Sequence, residues 1–243
     1  MRAVSLFSGI GGMDLGLERA GIEIILQVEI DEFCRRVLAK HWPDVRRIAD
    51  VRDVTAEDCD GADLIFGGFP CQPFSQSGKR LGITDERWMW PEFARVVRGA
   101  RPRYVLLENV AALVRDDAAF GCILADLHEL GFNAEWTTLS ACALGAPHMR
   151  RRLFLLAYTE GGHVSGEVSR RSWADEAGRD EPRGSGRGAR TDWWLSEPAV
   201  DRVAYGVPAR LVRAPLEALG NAVVPQVAEL IGRRLVAVDA GGE

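Results

Sequence analysis

Short apolar runs recur along the chain, each stopped by glycine, proline or an acidic residue. AVSLF (3–7) runs into Ser8-Gly9-Ile10-Gly11-Gly12; Ile22 to Val28 ends at Glu29; Leu64-Ile65-Phe66 ends at Gly67-Gly68; Tyr104 to Leu107 ends at Glu108-Asn109-Val110. Runs this short and this apolar predict strands buried on both faces. Val45 to Val51 predicts a weaker third strand ending near Asp50, and Trp136 to Ala143 and Leu153 to Tyr158 predict two more. Between the runs the spacing changes to that of helices: Met13 to Ala20 stopped by Gly21, Glu32 to Lys40 stopped by Trp42-Pro43, Pro91 to Gly99, and Ala119 to Leu130 closed by Gly131. A last helix over Pro225 to Val238 sets Val227, Leu230, Ile231 and Leu235 on one face. Alternating strands and helices predict an α/β fold, a mostly parallel Rossmann-like sheet flanked by helices.

The pattern breaks at Thr159. Residues 159–190 hold few aliphatic side chains and balance six arginines against six acids. Two readings stand: a disordered insert, or a short contact segment for a polyanion. Order returns at Trp193-Trp194, a pair that suits either a core or stacking on bases. The expected organisation is a first domain over 1–158, a short irregular insert over 159–192, and a C-terminal return over 193–243 that completes the first domain.

Charge refines this. The net charge is −5, but residues 1–70 carry 8 basic and 13 acidic side chains, whereas 148–213 carry 12 arginines and 9 acids. A polyanion is expected to meet the second region. No apolar run reaches membrane-spanning length, and the apolar start breaks at Ser8-Gly9, so neither a transmembrane helix nor a signal peptide is expected. Five cysteines without a C-x-x-C pair argue for a reducing, cytoplasmic setting with no disulfide framework and no metal site.

The opening strand, glycine turn, helix and acid-tipped strand form a nucleotide-binding start. A dinucleotide fingerprint would need glycine at position 14, where Asp14 stands. A nucleoside without a pyrophosphate fits better, and S-adenosylmethionine is such a ligand. Phe7 is placed to line its adenosine side, Gly9 to Gly12 to approach its amino-acid end, and Glu29 to accept from the ribose hydroxyls. Glu29 as a solvated strand-end acid is the competing reading. Asp50 suits either the adenine amino group or a plain turn. GGFPCQPFS (67–75) puts Cys71 between two prolines just past two glycines. Alone this reads first as a structural thiol, with a thiol presented by a stiff loop as the competing reading. The polar, glycine-containing stretch from Ser75 to Arg87 is expected to close over substrate. With Glu108 and the Arg150/Arg152 pair at neighbouring strand ends, Cys71 acquires a chemistry. A thiolate added to carbon 6 of cytosine makes carbon 5 nucleophilic, while an acid at nitrogen 3 and an arginine at the carbonyl oxygen assist.

FSGIGG (7–12), Glu29, GGFPCQPFS, ENV (108–110), GAPHMRRR (145–152) and GNAVVP (220–225) stand in the order seen in DNA (cytosine-5) methyltransferases, which this chain resembles over about 3–158 and 193–238. The resemblance implies a methyltransferase fold binding S-adenosylmethionine, with Cys71 as nucleophile, Glu108 at the cytosine's nitrogen 3 and amino group, and Arg150 and Arg152 as the arginine pair. Phe7, Gly9, Gly11, Gly12, Glu29, Asp50, Pro70 and Asn221 match cofactor positions, with Val51 and Ala222 beside them. Ile30 stands where an adenine-stacking aromatic is common, so Phe7 or Trp90 is expected to stack instead. The last helix is expected to return beside the first strand. Expected partners are duplex DNA with a flipped cytosine and no second subunit. His148 replaces a usual Gln, the usual motif before the last block is missing (Tyr205 to Pro208 resembles a remnant), and the recognition region is short. Two alternatives follow: methylation of RNA, and a non-catalytic cofactor-binding regulator.

Overall fold

The computed structural model describes residues 1–70, 88–159 and 217–241. Their strands form one seven-stranded sheet in the order β3-β2-β1-β4-β5-β7-β6. β1 (Arg2–Leu6), β2 (Glu23–Val28), β3 (Arg46–Ile48), β4 (Leu64–Gly67) and β5 (Tyr104–Val110) are mutually parallel. β6 (Asn133–Ser140) and β7 (Arg151–Tyr158) close the sheet, with β7 antiparallel to both of its neighbours. The helices are α1 (Gly12–Arg19), α2 (Glu32–His41), α3 (Trp90–Ala100), α4 (Asp117–Glu129) and α5 (Pro225–Asp239). Among the described residues no helix is long and apolar enough to cross a membrane.

Side chains alternate across each strand, so the apolar runs supply two cores. Val4, Leu6, Ile65, Val105 and Leu107 face α3 and α4, whereas Ala3, Leu64, Phe66, Tyr104 and Leu106 face α1 and α5. α1 and α5 cross closely because glycine stands on both. A Cβ on Gly16 would strike the Pro225 carbonyl, and one on Gly232 would lie 2.8 Å from Ala20 Cβ. The Tyr104 hydroxyl donates to Asp239 (3.2 Å), and Arg103 pairs with Asp239 (2.8 Å), fixing the far end of α5.

The expected mostly parallel sheet is present, with three differences. The third strand covers only Arg46–Ile48, since Asp50 caps a 3₁₀ turn over Val51–Asp53. β5 continues through Glu108, Asn109 and Val110 instead of ending at Leu107. β7 begins at Arg151, so Arg152 lies within it, and the strand runs backwards. Arg152 therefore reaches the C-terminal end of β5 from the start of its own strand, not from a strand's C-terminal end.

Candidate active site

β1 ends in a loop of unusual backbone. Phe7 has φ 55°, Gly9 56° and Gly11 81°. Left-handed backbone is ordinary for the glycines and strained for phenylalanine. Phe7 lies in contact with the core and stacks near-parallel on Phe93, with centroids 6.5 Å apart. Glu29, just past β2, secures the loop. Its carboxylate accepts from Gly9 N–H (2.7 Å) and from Asp31 N–H (2.8 Å). Burial raises its pKa, and the two amides oppose that. The lone pairs left over remain for a ligand hydroxyl.

The loop borders a cavity of about 330 Å³. Phe7, Gly9, Gly12, Glu29 and Ile30 line one side, and Pro70, Glu108, Arg152, Asn221 and Ala222 the other. Asn221 and Ala222 arrive from the chain's far end because Val223 lies directly on Gly12, where a Cβ would strike the Val223 carbonyl. That contact separates this cavity from a larger one of about 830 Å³.

Glu108 forms the opposite wall. It is 7% exposed, and burial raises its pKa to about 7 against the pull of Arg152 and Arg150. Register explains the partner: Val110 pairs with Arg152, so Arg152 is the diagonal neighbour of Glu108 on one sheet face. Arg152 Nε stands 3.0 Å from Glu108 Oε1, an ion pair, although that oxygen receives no well-aligned hydrogen bond. The sheet thus presents an acid able to hold a proton near neutrality beside a fixed positive charge.

Several expected site residues lie elsewhere. Trp90 does not stack in the cavity; it is fully buried, stacks on Phe93 and donates to Asp126 (2.7 Å) as part of the core. Asp50 does not line the cavity, its carboxylate being held by Arg52 at 2.6 Å, and Val51 packs in the core beside it. Gly11 lines the larger cavity, where its open α-carbon lies against the Trp42 ring. Arg150 lines that cavity too and donates to the Gly220 carbonyl (2.8 Å), reaching Glu108 only through its charge. Cys71, the expected lid from Ser75 to Arg87, most of the insert, the Trp193-Trp194 pair and Tyr205 to Pro208 lie outside the described residues. Among the described cysteines, Cys34 lines the cavity. Burial and Glu29 push its thiol to about 12, and burial pushes Cys59 to about 11, so neither supplies a thiolate near pH 7.

Three residues were not singled out from sequence as part of the site. Asp14, fully buried under the loop, accepts from Ser5 Oγ (3.0 Å) and Gln27 Nε2 (3.0 Å), and burial lifts its pKa to about 6. Its signal was present: it is the residue that breaks the glycine fingerprint. Asn109 donates from its buried amide to the Phe69 carbonyl (3.2 Å). Gly68 stands against Glu108, where a Cβ would lie 2.5 Å from Oε2. Gly67 and Gly68 thus serve close approach and not backbone conformation, for neither has a positive φ.

A mostly parallel sheet with a glycine-containing loop after β1 and a buried acid–guanidinium pair lining a cavity at the C-terminal ends of its strands defines a Rossmann-like α/β class. The chain belongs to the C-5 cytosine-specific DNA methylase family, whose model matches residues 1–181. It is 34% identical over 168 residues to the type II methyltransferase M.FnuDI of Fusobacterium nucleatum, covering 68% of this chain and 49% of that protein. With M.NgoMIV of Neisseria gonorrhoeae it shares 37% over 160 residues, covering 64% of this chain and 51% of that protein. Among solved structures, a putative DNA modification methyltransferase encoded within an E. coli prophage is similar at TM-score 0.57 and 27% identity, over 69% of this chain and 50% of that one. The chain spans about half the length of the curated relatives it matches.

Proposed function

We propose that this chain transfers a methyl group from S-adenosylmethionine to carbon 5 of cytosine in duplex DNA, through a covalent bond from Cys71 to carbon 6 of the base. One observation carries the reading: Glu108, an acid titrating near 7, pairs with Arg152 on the wall of a cavity that also includes Pro70, the residue before Cys71.

The cavity fits the methyl donor. Its volume of about 330 Å³ lies within the range of small-ligand sites. Even with Glu108 protonated, the acids Asp14, Glu29, Asp31 and Glu217 outnumber Arg152 around it, which suits a ligand bearing a sulfonium and an ammonium. A Cβ on Gly9 would meet nothing within 4 Å, so the backbone there is open to a ligand. Phe7, Gly9, Gly12, Glu29, Ile30 and Asn221 would hold it. When bound, the donor supplies an electrophilic methyl group.

The remaining steps belong to side chains. Glu108, protonated, donates to ring nitrogen 3, and Arg152 donates to the carbonyl oxygen. Both draw electron density from carbon 6 as the Cys71 thiolate adds there. Carbon 5 then takes the methyl group, loses its proton, and elimination frees the cysteine. Arg150, held behind the cavity, acts on Glu108 through its charge and limits how far burial raises that acid.

Residues 1–158 form the catalytic unit in this reading, 159–192 carry target recognition, and 193–243 return to complete the cofactor site; the seating of α5 on α1 supports the last assignment. Arginines in 148–213 supply phosphate contacts, so DNA binding weakens steeply with salt. The protein acts as a monomer, on one strand at a time.

The test is incubation with labelled S-adenosylmethionine and duplex DNA, 5-fluorocytosine DNA or tRNA. A covalent adduct on the fluorinated duplex, absent in Cys71→Ala, is expected. Methyl transfer to tRNA alone, or to nothing, sinks the reading.

A further inference from the structure

We infer that Gly68 is a positioning residue for Glu108: by lacking a side chain it fixes where the acid's carboxyl stands against Arg152. The inference rests on the methyl-transfer reading above.

The backbone does not require glycine at position 68, since its φ is not among the positive ones. The neighbouring strand does. β4 pairs with β5 in a register that sets Gly67 opposite Leu107, which brings Gly68 alongside Glu108. A Cβ on Gly68 would stand 2.5 Å from Glu108 Oε2, 3.3 Å from its carbonyl oxygen and 3.7 Å from its Cβ. Neither backbone has room to retreat. Asn109 ties the next residue by donating to the Phe69 carbonyl at 3.2 Å, and both side chains are buried. The end of the Glu108 side chain is the part free to move, and it moves off Arg152 Nε, now 3.0 Å away.

Gly67 makes the contrast. A Cβ there would strike the Leu6 carbonyl, which is sheet backbone. Substitution at 67 therefore disturbs folding, whereas substitution at 68 leaves the fold intact and displaces one carboxyl.

The experiment compares Gly68→Ala, Glu108→Asp and the double variant with the wild type. Crystal structures, turnover on duplex DNA, and calorimetric affinity for S-adenosylhomocysteine are the readouts. Gly68→Ala is expected to fold, to bind S-adenosylhomocysteine like the wild type, and to show its carboxyl out of ion-pair range of Arg152. Its kcat falls by about thirtyfold with KM for DNA little changed, and its alkaline pH limb moves. Aspartate is one methylene shorter and clears the new methyl, so the double variant turns over about threefold or more faster than Gly68→Ala alone. An undisturbed Glu108–Arg152 pair in the Gly68→Ala crystal, a kcat equal to wild type, or losses that merely multiply in the double variant would overturn the inference. If the wild type transfers no methyl group, the proposed function fails instead. The crystal of Gly68→Ala then decides alone: a displaced carboxyl supports the positioning role, and an undisturbed one refutes it.

Discussion

Glu108 is an ordinary carboxyl that its buried place in β5 lets hold a proton near neutrality. Burial lifts it to about 7, and the Arg152 and Arg150 guanidiniums stop it rising further. The donor form is present below that value and lost above it, so the rate of methyl transfer is expected to fall as pH rises through about 7 for this group. Glu108→Gln keeps the shape but has no acid proton to give. Turnover should drop on the order of 100-fold and the limb near pH 7 should flatten, read from kcat against pH. Glu108 was legible in sequence because an acid directly follows an apolar run. Arg152 was legible as a residue, but not the reason it arrives: only the antiparallel direction of β7 carries the start of that strand to the end of β5. Gly68 and Asn109 were illegible, since their work is cross-strand contact set by register, and register leaves no mark on a single run.

At the scale of elements, the alternation of apolar runs and helical spacing gave nearly every described strand and helix to within a few residues. Side-chain partners were harder. Trp90 looks in sequence like a candidate stacking surface, yet it opens α3 as buried core on Phe93 and Asp126. Trp90→Phe should cost about 2 kcal/mol by thermal unfolding, from the lost hydrogen bond and ring volume, and leave S-adenosylmethionine affinity within about twofold. A large loss of affinity in a folded variant would restore the stacking role. The start of α1 behaves the other way. Gly12 admits the Val223 backbone, so Gly12→Ala pushes 222–224 off the loop. An overpacking cost of about 1–3 kcal/mol is expected, with cofactor affinity falling at least about tenfold because Asn221 and Ala222 move with that segment, measured by calorimetry.

For the molecule as a whole, two buried acids set a pH dependence of stability. Asp14 titrates at about 6 and Glu108 at about 7, both above ordinary carboxyls. The folded state therefore holds more protons than the unfolded one between about pH 4 and 7, and stability declines as pH rises across that window. Asp14 alone accounts for a decline on the order of 3 kcal/mol. Urea titrations should show it in the wild type, and Asp14→Asn should flatten the part between pH 4 and 6; an equal slope in both would assign the dependence elsewhere. Asp14 joins β1, β2 and α1 through Ser5 and Gln27, so the same acid that tunes the fold's pH response underlies the glycine loop.

The seating of Val223 on Gly12 has a consequence for biosynthesis. The wall that carries Gly9 and Gly12 leaves the ribosome some two hundred residues before the wall that carries Asn221 and Ala222. A nascent or prematurely ended chain that stops short of Asn221 carries Glu108 and Cys71 but not that second wall. On the proposed function, competence to methylate is withheld from such fragments, and a tail supplied in trans would be expected to restore it.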